Sequence, residues 1–444
     1  MLNFEIFSHF STRITIILYL CRWIINTNNT ELIMLLDFTV GNFRSFYEKK
    51  TFSMEAQSLS EEPKENVAKE LSYKVLKTMA VYGANSSGKS NLVKAIEMMY
   101  DVVTSSVKLN PQDKLKYKPF SLLEDNSDPT FFEVSFLKDD FCYRYGFSYN
   151  ETDIVEEWLF RKTTPRSKEQ ALFIRNNDGI AFEDKRFPEG IGLESRVNNN
   201  RLFLSLCSQL GGEISSNVIS WFTSKLGLVS GLDNQKLSFF SKFHFRENSK
   251  ESKRALDFFK MLQLGFEDLY VYAEDVDKDS TDPDNLNRIE IDSIHRLYNH
   301  NGEVCGQVYW PFDNYESSGT KKMFDMSGII FASLEAGWTL VIDELDAKMH
   351  PLISQQIIAL FNNPKTNPNN AQLIFTTHDT HLLSSKMLRR DQIWFTEKND
   401  VEQTDLYCLT DIVLPDGSKP RNDANYEKNY IAGRYGAIPY IVND

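Results

Sequence analysis

GANSSGKS, Gly83–Ser90, is the stretch on which the reading of this chain turns. It satisfies G-x-x-x-x-G-K-[ST] at every position. The glycines let the backbone curl until successive N–H groups aim at one point. Lys89 carries an ammonium to that point, and the Ser90 hydroxyl is placed to ligate a divalent cation. Upstream, MAVY (79–82) reads as a short buried strand; downstream, NLVKAIEMMYDVV (91–103) reads as a helix with Leu92, Val93, Ile96, Met99 and Val103 on one buried face. A strand, this turn and a helix N-terminus make a phosphate cradle, because the helix end adds partial positive charge. Gly83, Asn85, Ser86, Ser87, Gly88, Lys89, Ser90 and Asn91 are its candidate binding residues.

Far downstream, TLVIDELDAKMHP (339–351) is an apolar strand ending in adjacent carboxylates. Asp343 falls at the carboxyl end of a buried strand, where open α/β sheets bind ligands, and suits the shell of a Mg²⁺ ion beside Ser90. Glu344 points differently and suits the polarisation of an attacking water. QLIFTTHD (372–379) adds a further apolar strand that finishes at His378, a hydrogen-bond donor for a terminal phosphate. Alone, an Asp-Glu strand end is as often structural and a strand-end histidine more often so; beside the cradle both become candidates. YESSGTKKMF (315–324) has no catalytic residue of its own. Its hydroxyls before an apolar run are what a helix N-cap needs. A serine hydroxyl and a glycine amide at a helix start also make a phosphate site.

Around these motifs, LLDFTVGNF, KTFSMEA and KTMAVYG read as strands, and TFFEVSFLKDDFCYRYGFSY (130–149) alternates as an antiparallel hairpin. RLFLSLCSQL, NVISWFTSKL and KRALDFFKMLQL are helical, without sustained heptads, and the acidic AEDVDKDSTDPDNLN closes that region. From Arg288 strands and helices alternate again, which predicts a parallel sheet with helices on it. The net charge of -13 over 444 residues argues against coating nucleic acid with the whole surface and leaves a local basic groove open. Five scattered cysteines without CxxC spacing read as buried small hydrophobes in a reducing compartment. Ile14–Ile25 is apolar but too short to span a bilayer, which takes about 20 residues. Residues 1–33 are therefore expected to be an over-extended start or weak hydrophobic leader, with no stable membrane association.

In this order GANSSGKS, ESSGTKK, TLVIDE, LDAKMHP and TTHD resemble the nucleotide-binding head of the ABC/SMC superfamily. They resemble more closely the bacterial ATPases labelled AAA family or AAA-type core domain, relatives of RecF and of abortive-infection phage-resistance ATPases. VGNFRSF (40–46), whose Asn42 and Arg44 fall where relatives approach the nucleotide, and NYIAGRYGAIPYI (429–441) fit the same group. The resemblance implies an α/β P-loop NTPase of ABC/SMC-head type with an antiparallel β subdomain and a helical insertion. Its N-terminal lobe would run over 34–163, the insertion over 164–287 and the C-terminal lobe over 288–444. It implies ATP and Mg²⁺ as cofactors, Glu344 and His378 as catalytic, and Ser90 and Asp343 on the metal. Ser317, Ser318 and Gly319 would then be the signature that reaches the γ-phosphate held by a second protomer in a head-to-tail dimer. Against the usual LSGGQ, Ser317 and Gly319 match, while Glu316, Ser318 and Thr320 depart. No Q-loop glutamine stands out after the first helix. The family further implies a cytoplasmic phage-defence ATPase with a separate effector from a neighbouring gene. A DNA-repair or maintenance ATPase related to RecF or SMC, which would touch nucleic acid, is the alternative. A transporter energy subunit fits the long insertion less well, and any nuclease activity is expected from a partner, since little chain follows His378.

Overall fold

A computed structural model describes residues 33–59, 63–230, 235–246, 248–273, 289–384 and 386–439. The expectations for residues 1–32 and for the acidic stretch 274–287 lie outside these. The larger of two compact units comprises Glu31–Val229, Gly337–Leu345 and Ile357–Asp444. It opens with β1 (Ile33–Gly41), β2 (Lys50–Ser53), β3 (Val67–Glu70), β4 (Tyr73–Leu76) and β5 (Thr78–Tyr82), then helix α1 (Lys89–Ser105). β6 (Thr130–Lys138) and β7 (Phe141–Tyr149) form the expected hairpin, with Leu137 opposite Cys142. β8 (Ile154–Lys162), β9 (Gln170–Asn176) and β10 (Gly179–Phe182) complete a seven-stranded antiparallel sheet in the order β10-β9-β8-β7-β6-β1-β2. Its inward aromatics, among them Phe132, Phe136, Tyr145 and Phe147, are fully buried. α1 buries Leu92, Ile96, Met99 and Val103 as its pattern predicts, but Ala95 and Val102 fill the face where Val93 was expected, and Val93 is half-buried.

α2 (Phe203–Gln209) and α3 (Glu213–Lys225) follow, then β11 (Leu226–Ser230). Neither helix caps its own N-terminus with a side chain. The buried Glu157 carboxylate of β8 instead accepts from Phe203 N at 2.7 Å and Leu204 N at 3.0 Å. Glu189 does the same for Ile214 N at 2.9 Å and Ser215 N at 2.7 Å. Orphan amides of a helix start must find acceptors, and here they find them on Glu157 of β8 and on Glu189 in the Pro188–Gly190 turn. Trp221 of α3 stacks on Phe136 of β6 at 4.8 Å. The stretch 164–229 therefore belongs to the larger unit and does not share one body with the helices that follow.

The smaller unit includes Ser230–Ala336 and Asp346–Gln356. It contains α4 (Gln235–Arg246), α5 (Lys250–Met261), β12 (Asp268–Ala273), β13 (Ile289–Tyr298), β14 (Val304–Pro311), the short α6 (Phe312–Tyr315) and α7 (Ser318–Ala336). β12, β13 and β14 pair antiparallel, so the region after Arg288 opens with an antiparallel sheet where a parallel one was expected. α7 is buried from Thr320 to Leu334 except at Lys321, so its polar Lys322, Asp325, Ser327 and Ser333 are buried along with its apolar residues. It crosses α4 at Gly328, where a Cβ would lie 2.7 Å from Ser241 Oγ and 2.8 Å from its Cα; Gly328 N instead donates to that hydroxyl at 2.9 Å.

The chain returns to the larger unit as β15 (Thr339–Asp343), and α8 (Pro351–Asn362) leads on to β16 (Gln372–Thr376), β17 (Ile393–Lys398), β18 (Thr404–Cys408) and α9 (Tyr426–Ile431). The second sheet runs β11-β15-β16-β5-β17-β18, with β15, β16, β5 and β17 parallel and β18 antiparallel. Gln372 ties the two sheets of this unit together. Its Oε1 accepts from Leu35 N at 2.6 Å and Thr339 Oγ1 at 3.1 Å, while its Nε2 donates to Leu35 O at 3.0 Å and Leu76 O at 3.1 Å. An amide so fully satisfied can be buried without penalty. Cys142, Cys207 and Cys408 are buried as expected; Cys305 is exposed, because β14 is an edge strand. Among the described residues no helix is long and apolar enough to cross a membrane.

Candidate functional site

Three neighbouring parallel strands end level with one another. Phe375 of β16 lies opposite Ile342 of β15, and Thr376 opposite Val81 of β5. Asp343, the turn at Gly83 and His378 therefore all emerge at the carboxyl edge of this sheet, the side on which open α/β sheets bind ligands. After β5 the chain curls through Gly83 (φ 154°), Ser86 (φ 65°) and Gly88 (φ 117°), and Gly88 is the N-cap of α1. At Gly83 a Cβ would collide with Thr396, and at Gly88 with the Thr404 side chain, so only glycine fits either place.

Asn85 and Ser86 are exposed at the crest of the turn. Ser87 is buried, and its hydroxyl pairs with Thr396 Oγ1 at 2.7 Å. Thr404 Oγ1 donates to Ser87 O at 2.9 Å. Lys89 is buried and its ammonium donates to Gly83 O at 2.7 Å and Ala84 O at 3.0 Å, inside the curl. Asn91 Nδ2 donates to Ser45 Oγ at 2.8 Å, and so anchors the loop after β1. The Ser87 and Asn91 side chains brace the turn.

Ser90 Oγ donates to Asp343 Oδ1 at 3.2 Å, joining the turn to the end of β15. Thr376 Oγ1 donates to the same carboxylate oxygen at 2.7 Å and accepts the Glu344 amide, also at 2.7 Å. Leu345 N donates to Thr376 O at 3.1 Å. Glu344 has φ 59°, a left-handed conformation that a non-glycine residue adopts only when its surroundings hold it there. Its half-buried carboxylate has no hydrogen bond or ion pair among the described residues. His378 is exposed just past β16, and Thr377 N donates to Val81 O at 3.2 Å to fix that segment against β5.

Of the loop after β1, Asn42 is spoken for. It is buried, its Oδ1 accepts from Phe120 N at 3.1 Å and Asn126 Nδ2 at 2.7 Å, and its Nδ2 donates to Asp128 O. It holds a loop and is not left to meet a nucleotide. Arg44 is exposed in a left-handed conformation (φ 52°), next to the Ser45 that Asn91 grips.

Ser317, Ser318 and Gly319 lie in the smaller unit. Ser317 Oγ accepts from Thr320 N at 3.1 Å, so it does cap α7. Gly319 is not demanded by packing, since a Cβ there would meet only Lys348 O at 3.6 Å and Ser317 Oγ at 3.8 Å. Glu316, at the first signature position, is nearly buried, and its Oε1 lies 2.9 Å from His295 Nε2 of β13. Sequence reasoning missed Thr376, Thr396, Thr404 and Ser45. Thr376 stands two residues before His378 and Ser45 within VGNFRSF, whereas Thr396, inside β17, and Thr404, at the start of β18, lie away from every motif.

A strand-turn-helix cradle beside an Asp-Glu strand end, with the strand that leads to His378 between them, is the P-loop fold of an AAA-type nucleotide-binding domain. The chain belongs to the family described as AAA domain, putative AbiEii toxin, Type IV TA system, whose model matches residues 79–384. Among solved structures, the SMC head domain from Thermotoga maritima is 12% identical, covers 84% of this chain and 98% of its own, and gives a TM-score of 0.39. The Smc head domain with an extended coiled coil bound to the C-terminal domain of ScpA, derived from Pyrococcus furiosus, is 12% identical over 85% of this chain and 96% of its own, with a TM-score of 0.39. No curated protein matches the chain.

Proposed function

We propose that this chain is a Mg²⁺-dependent ATPase whose two copies close head-to-tail on ATP and part after hydrolysis. The observation that carries the reading is the hydrogen-bonded run Ser90–Asp343–Thr376–Glu344, set at the mouth of a phosphate cradle with the Glu344 carboxylate unengaged among the described residues. Backbone amides of the turn and the start of α1 would bind the β- and γ-phosphates. Lys89 would exchange its bonds to Gly83 O and Ala84 O for phosphate oxygens. Ser90 and Asp343 fit Mg²⁺: both are oxygen donors, and their 3.2 Å separation suits adjacent corners of an octahedron with ligands at about 2.1 Å. When bound, the ion neutralises charge that develops on the phosphates. Glu344 would orient and polarise water, His378 would donate to the γ-phosphate, and Ser317, Ser318 and Gly319 would reach that phosphate from the second copy.

The family's description as a putative toxin of a Type IV TA system supports a place in a two-component defence system, in which the nucleotide state governs a separate effector. A cytoplasmic setting follows from that reading. Lys89→Ala is the direct test. It should abolish ATP turnover while the fold persists by circular dichroism; undiminished turnover would remove the cradle from the mechanism.

A further inference from the structure

In the β12–β13–β14 sheet one face is inward, with Ile289, Ile291 and Ser293 buried. By cross-strand register the opposite face carries Asp268, Tyr270, Glu290, Asp292 and Tyr309. Tyr270 and Tyr309 are 54% and 50% exposed and touch edge to face at 6.0 Å. Among the described residues the cation on this face is Arg296, which is occupied by Glu267 at 2.9 Å. Tyr272 donates to Glu290 at 2.9 Å and holds that carboxylate in place beside the rings. Along one side β14 pairs only with β13, so its other edge is open among the described residues and nearly every residue of it is exposed. Exposed aromatic surface of this kind marks interaction sites, and an open strand edge is a template for another strand.

We propose that this sheet docks an extended, arginine-bearing segment of a partner protein, added as a strand beside β14. Charge selects the occupant. Carboxylates and tyrosine faces attract guanidinium groups by ion pairing and by cation–π contact, and strand addition supplies main-chain bonds. A nucleic acid would bring phosphates against carboxylates, and a second copy would set the same carboxylates against each other. The sheet is also tied to the signature loop. The Trp310 ring of β14 lies 4.3 Å from that of His295, whose Nε2 is 2.9 Å from Glu316 Oε1, beside Ser317. Strand addition at β14 would therefore bias the loop through His295; this second step rests on the signature reading proposed above, whereas docking does not.

Fluorescence anisotropy with a labelled peptide of alternating arginine and valine tests docking on the full chain without nucleotide, at physiological salt. Tyr270→Ser with Tyr309→Ser, and separately Glu290→Lys with Asp292→Lys, should each weaken binding at least about tenfold, as central interface residues do. Reversing Asp178 and Glu194 to lysine, exposed acids of the larger unit, should leave it unchanged. The proposal is overturned if that control pair weakens binding as much, or if the face variants bind the peptide as the native chain does. It is equally overturned if the face variants instead lose binding to single-stranded DNA or change self-association of the free chain. For the coupling, the peptide should alter ATP turnover of the native chain and not of His295→Phe, which keeps a ring against Trp310; turnover indifferent to the peptide sinks the coupling alone.

Discussion

Thr376 uses a single hydroxyl twice, as donor to Asp343 and as acceptor from the Glu344 amide. Valine has its shape without either bond. Thr376→Val should raise the Mg²⁺ concentration for half-maximal turnover and lower kcat by roughly tenfold, the scale of losing a hydrogen bond that orients a metal ligand. Thr376→Ser should restore both, and a Mg²⁺ titration of ATPase activity reads the outcome. If valine behaves as wild type, the hydroxyl does not position the site. At this scale the motif residues could be read from sequence because the cradle's spacing is a backbone requirement. Their bracing could not, because Thr396 and Thr404 reach Ser87 from strands more than 300 positions away. A shorter but still non-local separation hid the commitment of Asn42, whose side-chain partners lie in the 120–128 loop.

Ser317 caps α7 and, in the proposed mechanism, also reaches a phosphate, and substitution separates the two. Asp is as good an N-cap as Ser, yet its charge would oppose a γ-phosphate. Ser317→Asp should keep the melting temperature and abolish turnover and ATP-induced dimerisation; surviving turnover would leave Ser317 as a cap only. Farther along α7, burial pushes the Asp325 carboxyl up to about 6, with Ser238, Lys242 and Lys322 opposing and Asp313 assisting. A raised carboxyl favours the folded state only while protonated, so this contribution is lost as pH rises from about 4 to about 6. Asp325→Asn should therefore raise the melting temperature at pH 7.5 and give little gain near pH 4, as calorimetry would show. Elements with their own periodicity, such as α1 and the β6–β7 hairpin, were legible in the sequence. α2 and α3 were legible as helices but not as parts of the larger unit, because Glu157 and Glu189, which cap them, are far along the chain.

For the whole molecule, trapping the nucleotide is the decisive experiment. Glu344→Gln should bind ATP, fail to hydrolyse it and elute as a dimer in ATP and as a monomer without it; a monomer with ATP bound contradicts closure of two copies on the nucleotide. Among the described residues the chain passes between its two compact units at 229/230, 336/337, 345/346 and 356/357. The strand bearing Asp343 and Glu344 is thus a brief excursion, Gly337–Leu345, bounded on both sides by segments of the smaller unit. The units are consequently not interchangeable parts. No single excision removes the smaller unit's segments Ser230–Ala336 and Asp346–Gln356 without also severing the strand that ends at Asp343, so the Ser317–Gly319 loop and the Asp343–Glu344 carboxylates must be inherited, and lost, together.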